Sequence, residues 1–220
     1  MAFDIHQKIV NRYGELDEKK AMQYRDQLFN LFVESPEGQA LIDEGNEPSW
    51  ADMMMDYGIN YLAVTPPQMT PGDLSEVLFD LIPQKVSAEA DEAPTIIHEL
   101  QAFWKFLQRE FQLENAAACL KILDDKAVRR LQKEMSNPAN FGMAKSFVMM
   151  GKQRGFDMAT EEGINEWMKT YNTELAAGTG PRIPPPFPAF SGFASGSARK
   201  VRGKSRRRME RDSRKKNRRK

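Results

Sequence analysis

The last 24 residues of the chain, SARKVRGKSRRRMERDSRKKNRRK, hold 14 Lys and Arg against two acids. The cations are Arg199, Lys200, Arg202, Lys204, Arg206, Arg207, Arg208, Arg211, Arg214, Lys215, Lys216, Arg218, Arg219 and Lys220. Nine of them are arginine, whose planar guanidinium donates two parallel hydrogen bonds to one phosphate. Such a string releases counterions from a polyanion and gives salt-dependent affinity with little sequence discrimination. Val201 and Met209 are its only large apolar residues, so a helix made from it has no apolar face to insert into a membrane. Attraction to anionic lipid is then limited to loose surface contact. It has no aromatic ring on which a base could stack. Basic arms that order on binding RNA share this pattern, which places RNA ahead of DNA as the expected partner.

The rest of the sequence offers few reactive groups. His6 and His98 are the only histidines, and Gln101 and Ala102 stand three and four residues after His98, where a ligand partner would be needed. Cys119 lies in the apolar run AAACLKIL and reads as a buried, inert thiol. A lone cysteine excludes an intrachain disulfide and a four-cysteine zinc site in this chain. Asp52 and Asp56 fall four residues apart on one helix face. General acid–base work, however, needs two carboxyls whose pKa values are driven apart by their surroundings, and spacing alone does not supply that. They read as part of a solvated acidic face. No loop has EF-hand spacing, and the glycines of MSNPANFGMAKS and MMGKQRG lack the phosphate-loop pattern. Met53, Met54 and Met55 read as core and edge packing. The expectation is a non-enzymatic protein with no catalytic residue, no metal site and no cofactor.

Those groups must be carried by something, and the chain before the tail reads as helix after helix. Its 220 residues, 40% hydrophobic and 29% charged, are enough to build a core without covalent staples. The periodicity predicts helices in LDEKKAMQYRDQLFNLFVE, after the Ser35-Pro36 start, in WADMMMDYGINYL after Pro48-Ser49, and in LSEVLFDLI after a capping box at Thr70 and Asp73. TIIHELQAFWKFLQREF has the strongest period, with Ile96, Leu100, Phe103, Trp104, Leu107 and Phe111 on one face. Asn115 is expected to cap AAACLKILDD, followed by KAVRRLQKEM, a helix started by Asn137-Pro138 and ended by Gly155, and a last helix capped by Thr160. No segment alternates with a period of two. The fold class expected is all-α: an irregular multi-helix bundle of about eight or nine helices with a disordered basic C-terminal tail.

Charge is divided as sharply as structure. The whole chain nets +1, but residues 197–220 contribute +12 and residues 1–196 contribute −11. Between Arg25 and Lys85 there is no Lys or Arg, against 11 acids. The expected organisation is an acidic helical domain over 1–176, a Pro/Gly/Ser-rich linker over 177–198 and the basic tail over 199–220. In the linker, Phe187, Phe190 and Phe193 repeat every three residues beside four prolines, the repeat of a polyproline II helix. They are candidates for docking, onto an aromatic-lined groove, onto exposed bases, or back onto the body itself. The N-terminus has the features of neither a signal nor a transit peptide, and no apolar run is long enough to span a bilayer, so a cytoplasmic location is expected.

The segment NPANFGMAKSFVMMGKQRGFDMATEEGINEWM, residues 137–168, resembles a helical hairpin of uncharacterised bacterial all-helical proteins that are sometimes found next to SEC-C-type zinc motifs. The resemblance implies a bacterial, cytoplasmic helical protein and no activity. The cysteines of the zinc motif are absent here, so no zinc site follows from it.

Two readings come out of the sequence. In one, the tail holds RNA, with ribosomal RNA or the ribosome as the most abundant target, and the acidic body faces away. In the other, the chain is a protein–protein adaptor or scaffold whose tail pairs with an acidic protein surface, its own residues 34–92 being one such surface.

Overall fold

The computed structural model describes residues 3–179; residues 180–220, with most of the expected linker and the whole expected tail, lie outside the described residues. What is described is all-α. The helices are α1 (Glu18–Val33), α2 (Pro36–Asp43), α3 (Trp50–Tyr57), α4 (Pro71–Glu76), α5 (Ile82–Lys85), α6 (Ala93–Phe111), α7 (Ala116–Leu120), α8 (Asp125–Ser136), α9 (Met143–Gln153) and α10 (Glu161–Ala176). Helix α4 continues through a π turn, Val77–Leu81, into α5, so the described residues form nine helices, in line with the eight or nine expected. No strand occurs among them; a single bridge pairs Val10 with Leu16. None of the described helices is long and apolar enough to cross a membrane.

Local chemistry sets the joints. At the corner between α1 and α2, Ser35 Oγ donates to the Phe32 carbonyl at 2.6 Å and accepts from Gly38 N–H at 3.2 Å. A Cβ on Gly38 would collide with that same Phe32 carbonyl, so the tight corner requires glycine. The capping box at Thr70 and Asp73 forms as expected. Pro83 has no N–H to continue the helical ladder, and its ring crowds the carbonyl four residues back. The wider π turn just before it lets the helix pass the proline without breaking.

Two expected starts differ. Asn115 stands at the N-cap of α7 as expected but its side chain makes no cap bond: the amide donates to the carbonyls of Pro66 at 2.8 Å and Met69 at 2.7 Å, and α7 ends at Leu120 rather than running through to Asp124 and Asp125. Asn137 caps only a 3-10 turn, Pro138–Asn140, accepting from Ala139 N–H. The helix expected from that point begins at Met143, after a break that lets Gly142 N–H donate to the Gln84 carbonyl at 2.8 Å.

The packing falls into two clusters. Helix α6 is the axis of the larger: Ile96, Leu100, Phe103, Trp104 and Leu107 are fully buried and meet α2, α3, α7 and α8. Phe32 of α1 meets Phe103 edge-on at 5.1 Å. Each of these side chains contributes about 1.5–3 kcal/mol by leaving water. This contiguous core runs from Ile5 to Met135. The smaller cluster belongs to the hairpin of α9 and α10, where Trp167 sits between Phe156 at 5.3 Å, Tyr171 at 5.5 Å and Phe147 at 5.6 Å. Its indole N–H donates to the Phe147 carbonyl at 2.9 Å.

Candidate functional site

The fourteen cations between Arg199 and Lys220, and the rings Phe187, Phe190 and Phe193, lie outside the described residues. The remaining candidates are placed. His6 is exposed, and His98 pairs with Glu44 at 2.8 Å, each about half exposed. Cys119 is fully buried, and burial pushes its thiol up to about 12, so the nucleophilic thiolate is suppressed at neutral pH. Met54 and Met55 are fully buried in the core, with Met53 at its edge. Among the described residues, no group of three or more His, Cys, Asp or Glu is arranged to hold a metal ion.

Asp52 and Asp56 are not the solvated carboxylates expected. Both reach across to Arg25 on α1, the last cation before the basic-free interval. Arg25 Nε and Nη2 grip the two Asp52 oxygens at 2.9 and 2.7 Å, while Nη1 pairs with Asp56. The fork geometry of guanidinium and carboxylate makes this a clamp between α1 and α3, with all three side chains about two-thirds buried or more. Other acids of the interval are also engaged: Glu37 by Arg109, Glu44 by His98, and Asp73 in its own capping box.

Two buried ionisable groups escaped the sequence reading. Glu99 of α6, 3% exposed, accepts from Ser49 N–H at 3.0 Å and Ala51 N–H at 2.7 Å. Ser49 makes no side-chain cap, so a carboxylate from a helix far along the chain satisfies the first turn of α3. Burial pushes its carboxyl above the usual range, and those backbone N–H groups work in the opposite direction. Lys145 of α9 is 1% exposed, and its Nζ has no hydrogen-bond partner among the described residues. It lies 4.4 Å from the centroid of the Phe141 ring, and burial pushes its amine down to about 8.

Helix α8 shows a third feature that the net charge of the body concealed. Ala127, Leu131 and Met135 bury one face in the core, and Asp124 caps the helix by accepting from Ala127 N–H at 2.9 Å. Lys126, Arg129, Arg130 and Lys133 recur at i, i+3, i+4 and i+7 and are all exposed. None of the four makes an ion pair among the described residues, whereas Lys20, Arg25, Arg109, Lys152 and Arg154 each do. Arg130 rests its guanidinium on the Phe79 ring at 4.0 Å. The spacing is readable in KAVRRLQKEM, beside the apolar pattern of Val128, Leu131 and Met135 that predicts the helix.

Compared with known proteins, the chain matches no family model, no curated protein and no solved structure.

Proposed function

We propose that this chain is a non-enzymatic RNA-binding protein that holds phosphates through its basic C-terminal segment. The observation that carries the reading is the segregation of charge: +12 in residues 197–220 of a chain that nets only +1. That density of cations supplies affinity by counterion release, and the absence of aromatic residues there leaves bases unread. Ribosomal RNA, as the most abundant polyanion of its kind, is the target this chemistry favours, and a cytoplasmic location follows from it. The helical body carries whatever partner choice the protein has.

The adaptor reading keeps one supporting observation, the −12 of residues 34–92 against the +12 of the tail. The engagement of Glu37, Glu44, Asp52, Asp56 and Asp73 by neighbours weakens it, because those carboxylates would have to exchange partners. Co-purification of the full chain and a 1–198 truncation from cells, with sequencing of bound nucleic acid, separates the two. RNA on the full chain alone supports the first reading. RNA on neither, with sedimentation at low salt altered by the truncation, replaces it with the second.

A further inference from the structure

We propose that the exposed face of α8 is a second RNA-phosphate contact, used together with the basic C-terminal segment on one strand. The inference rests on the RNA-binding reading and adds a site on the folded body, where the sequence had placed only an acidic surface turned away from nucleic acid.

Three observations carry it. The first is composition by face. Lys126, Arg129, Arg130 and Lys133 line one side of a two-sided helix, and the first to the last spans about 10 Å at 1.5 Å per residue. That length reaches across neighbouring phosphates of one strand. The second is availability. Of the 17 Lys and Arg among residues 3–179 five pair with carboxylates and twelve do not, and α8 is the one described helix that gathers four of the unpaired ones on a single face. The third is rigidity. The opposite face of α8 is anchored by fully or nearly fully buried Ala127, Leu131 and Met135, and Arg130 places its guanidinium carbon 4.0 Å from the centroid of the Phe79 ring. A guanidinium already in contact with a ring has less freedom to lose when it binds a phosphate.

The four groups give position and affinity rather than sequence choice, because no exposed aromatic ring belongs to the α8 face. Nineteen residues lie between Thr179 and Arg199. Such a length spans at most about 70 Å, so both elements can engage one RNA, and tethering raises the effective concentration of the second contact once the first is made.

The test uses the full chain, stripped of nucleic acid at high salt, and a fluorescein-labelled 20-nucleotide poly-U RNA, with anisotropy titrations from 50 to 300 mM KCl. The decisive variant is Lys126→Gln/Arg129→Gln/Lys133→Gln, with Arg130 left to keep its packing on Phe79. A control, Lys8→Gln/Lys19→Gln/Lys105→Gln, removes the same charge from exposed positions elsewhere. The expected result is about a tenfold loss of affinity near 150 mM for the α8 triple, with the log–log salt slope shallower by about two, at roughly 0.7 per released contact on single strands. The control should lose less than about twofold. If full-length protein binds but the α8 triple matches the control, the α8 contact is refuted and the C-terminal reading stands. If the full chain shows no salt-sensitive RNA binding, both fall together. Tighter binding of poly-dT of the same length by tenfold would overturn the choice of RNA. Both triples must melt within a few degrees of the parent; an α8 triple that does not is replaced by the two singles Lys126→Gln and Lys133→Gln, each expected to lose two- to threefold.

Discussion

Replacing Lys145 by methionine should stabilise the protein at neutral pH. The side chain is 1% exposed, its ammonium has no hydrogen-bond acceptor among the described residues, and burial pushes its pKa from 10.5 down to about 8. At about 1.4 kcal/mol per pH unit, the gap between those two values is worth about 3 kcal/mol. The sign follows from linkage. Below pH 8 the amine is charged in folded and unfolded chains alike, and the folded state carries the full cost of burying the charge. Between pH 8 and 10.5 the folded state gives up its proton while the unfolded chain keeps it, so this residue's contribution becomes less unfavourable as pH rises. Methionine matches the length of the stem and needs no acceptor. It forfeits the contact of Nζ with the Phe141 ring, worth about 1 kcal/mol. The net gain for Lys145→Met at pH 7 is therefore about 2 kcal/mol, or about 4–8 °C in Tm for a chain of this size. Thermal melts of parent and variant at pH 7 and pH 10.5 measure it, the difference between the two proteins cancelling the titration of other groups. A gain at pH 7 that shrinks by pH 10.5 is expected. A variant less stable than the parent at pH 7, or an advantage that does not change with pH, would refute the reasoning.

Three other substitutions follow from the same structure. Glu99→Ala orphans the Ser49 and Ala51 N–H groups in a buried setting and should cost about 2–4 kcal/mol in chemical denaturation, whereas an exposed control such as Glu114→Ala should cost almost nothing. Gln112 ends α6 in the left-handed region at φ 53°, so Gln112→Gly should raise stability by about 0.5–1 kcal/mol; a loss would mean that its side chain holds more than the turn does. Trp167→Ala empties the smaller cluster, and hydrogen exchange should accelerate through α9 and α10 while Leu100, Phe103 and Leu107 of α6 keep their protection. Uniform loosening would show that the two clusters unfold as one.

Much of the helical order was legible because it is written locally. Ser35, Thr70 and Thr160 cap the helices that follow them, and the face of α6 predicted from Ile96 to Phe111 is the face that is buried or half-buried. What was not legible depends on partners distant in the chain. Asn115 has the chemistry of a cap, but two carbonyls of the Pro66–Met69 loop compete for its amide and win. Ser49 is likewise a cap by composition, and its place is taken by Glu99 from 50 residues away. The acidic interval looked uncompensated because compensation was sought within it, while Arg25 and Arg109 stand at or beyond its ends. Lys145 gave no signal at all, since lysine on a helix is ordinarily exposed. The basic face of α8 failed for a different reason: its spacing was local and readable, but the net charge averaged it away.

The arrangement of the two clusters has a mechanical consequence. Any load applied through residues 180–220, by a bound polymer or by a protease that grips the end of the chain, enters the described structure at α10. That helix is fastened by the rings around Trp167 and by Arg154 with Glu174, outside the core that runs from Ile5 to Met135. The hairpin in turn meets the main body at the Gly142–Gln84 backbone bond and the Lys152–Glu89 pair. Tension therefore arrives first at a hairpin whose one buried hydrophobic side chain among the described residues is Trp167, and α9 and α10 are expected to peel while α6 and its neighbours keep their shape. The hairpin is a fuse between the charged end and the core.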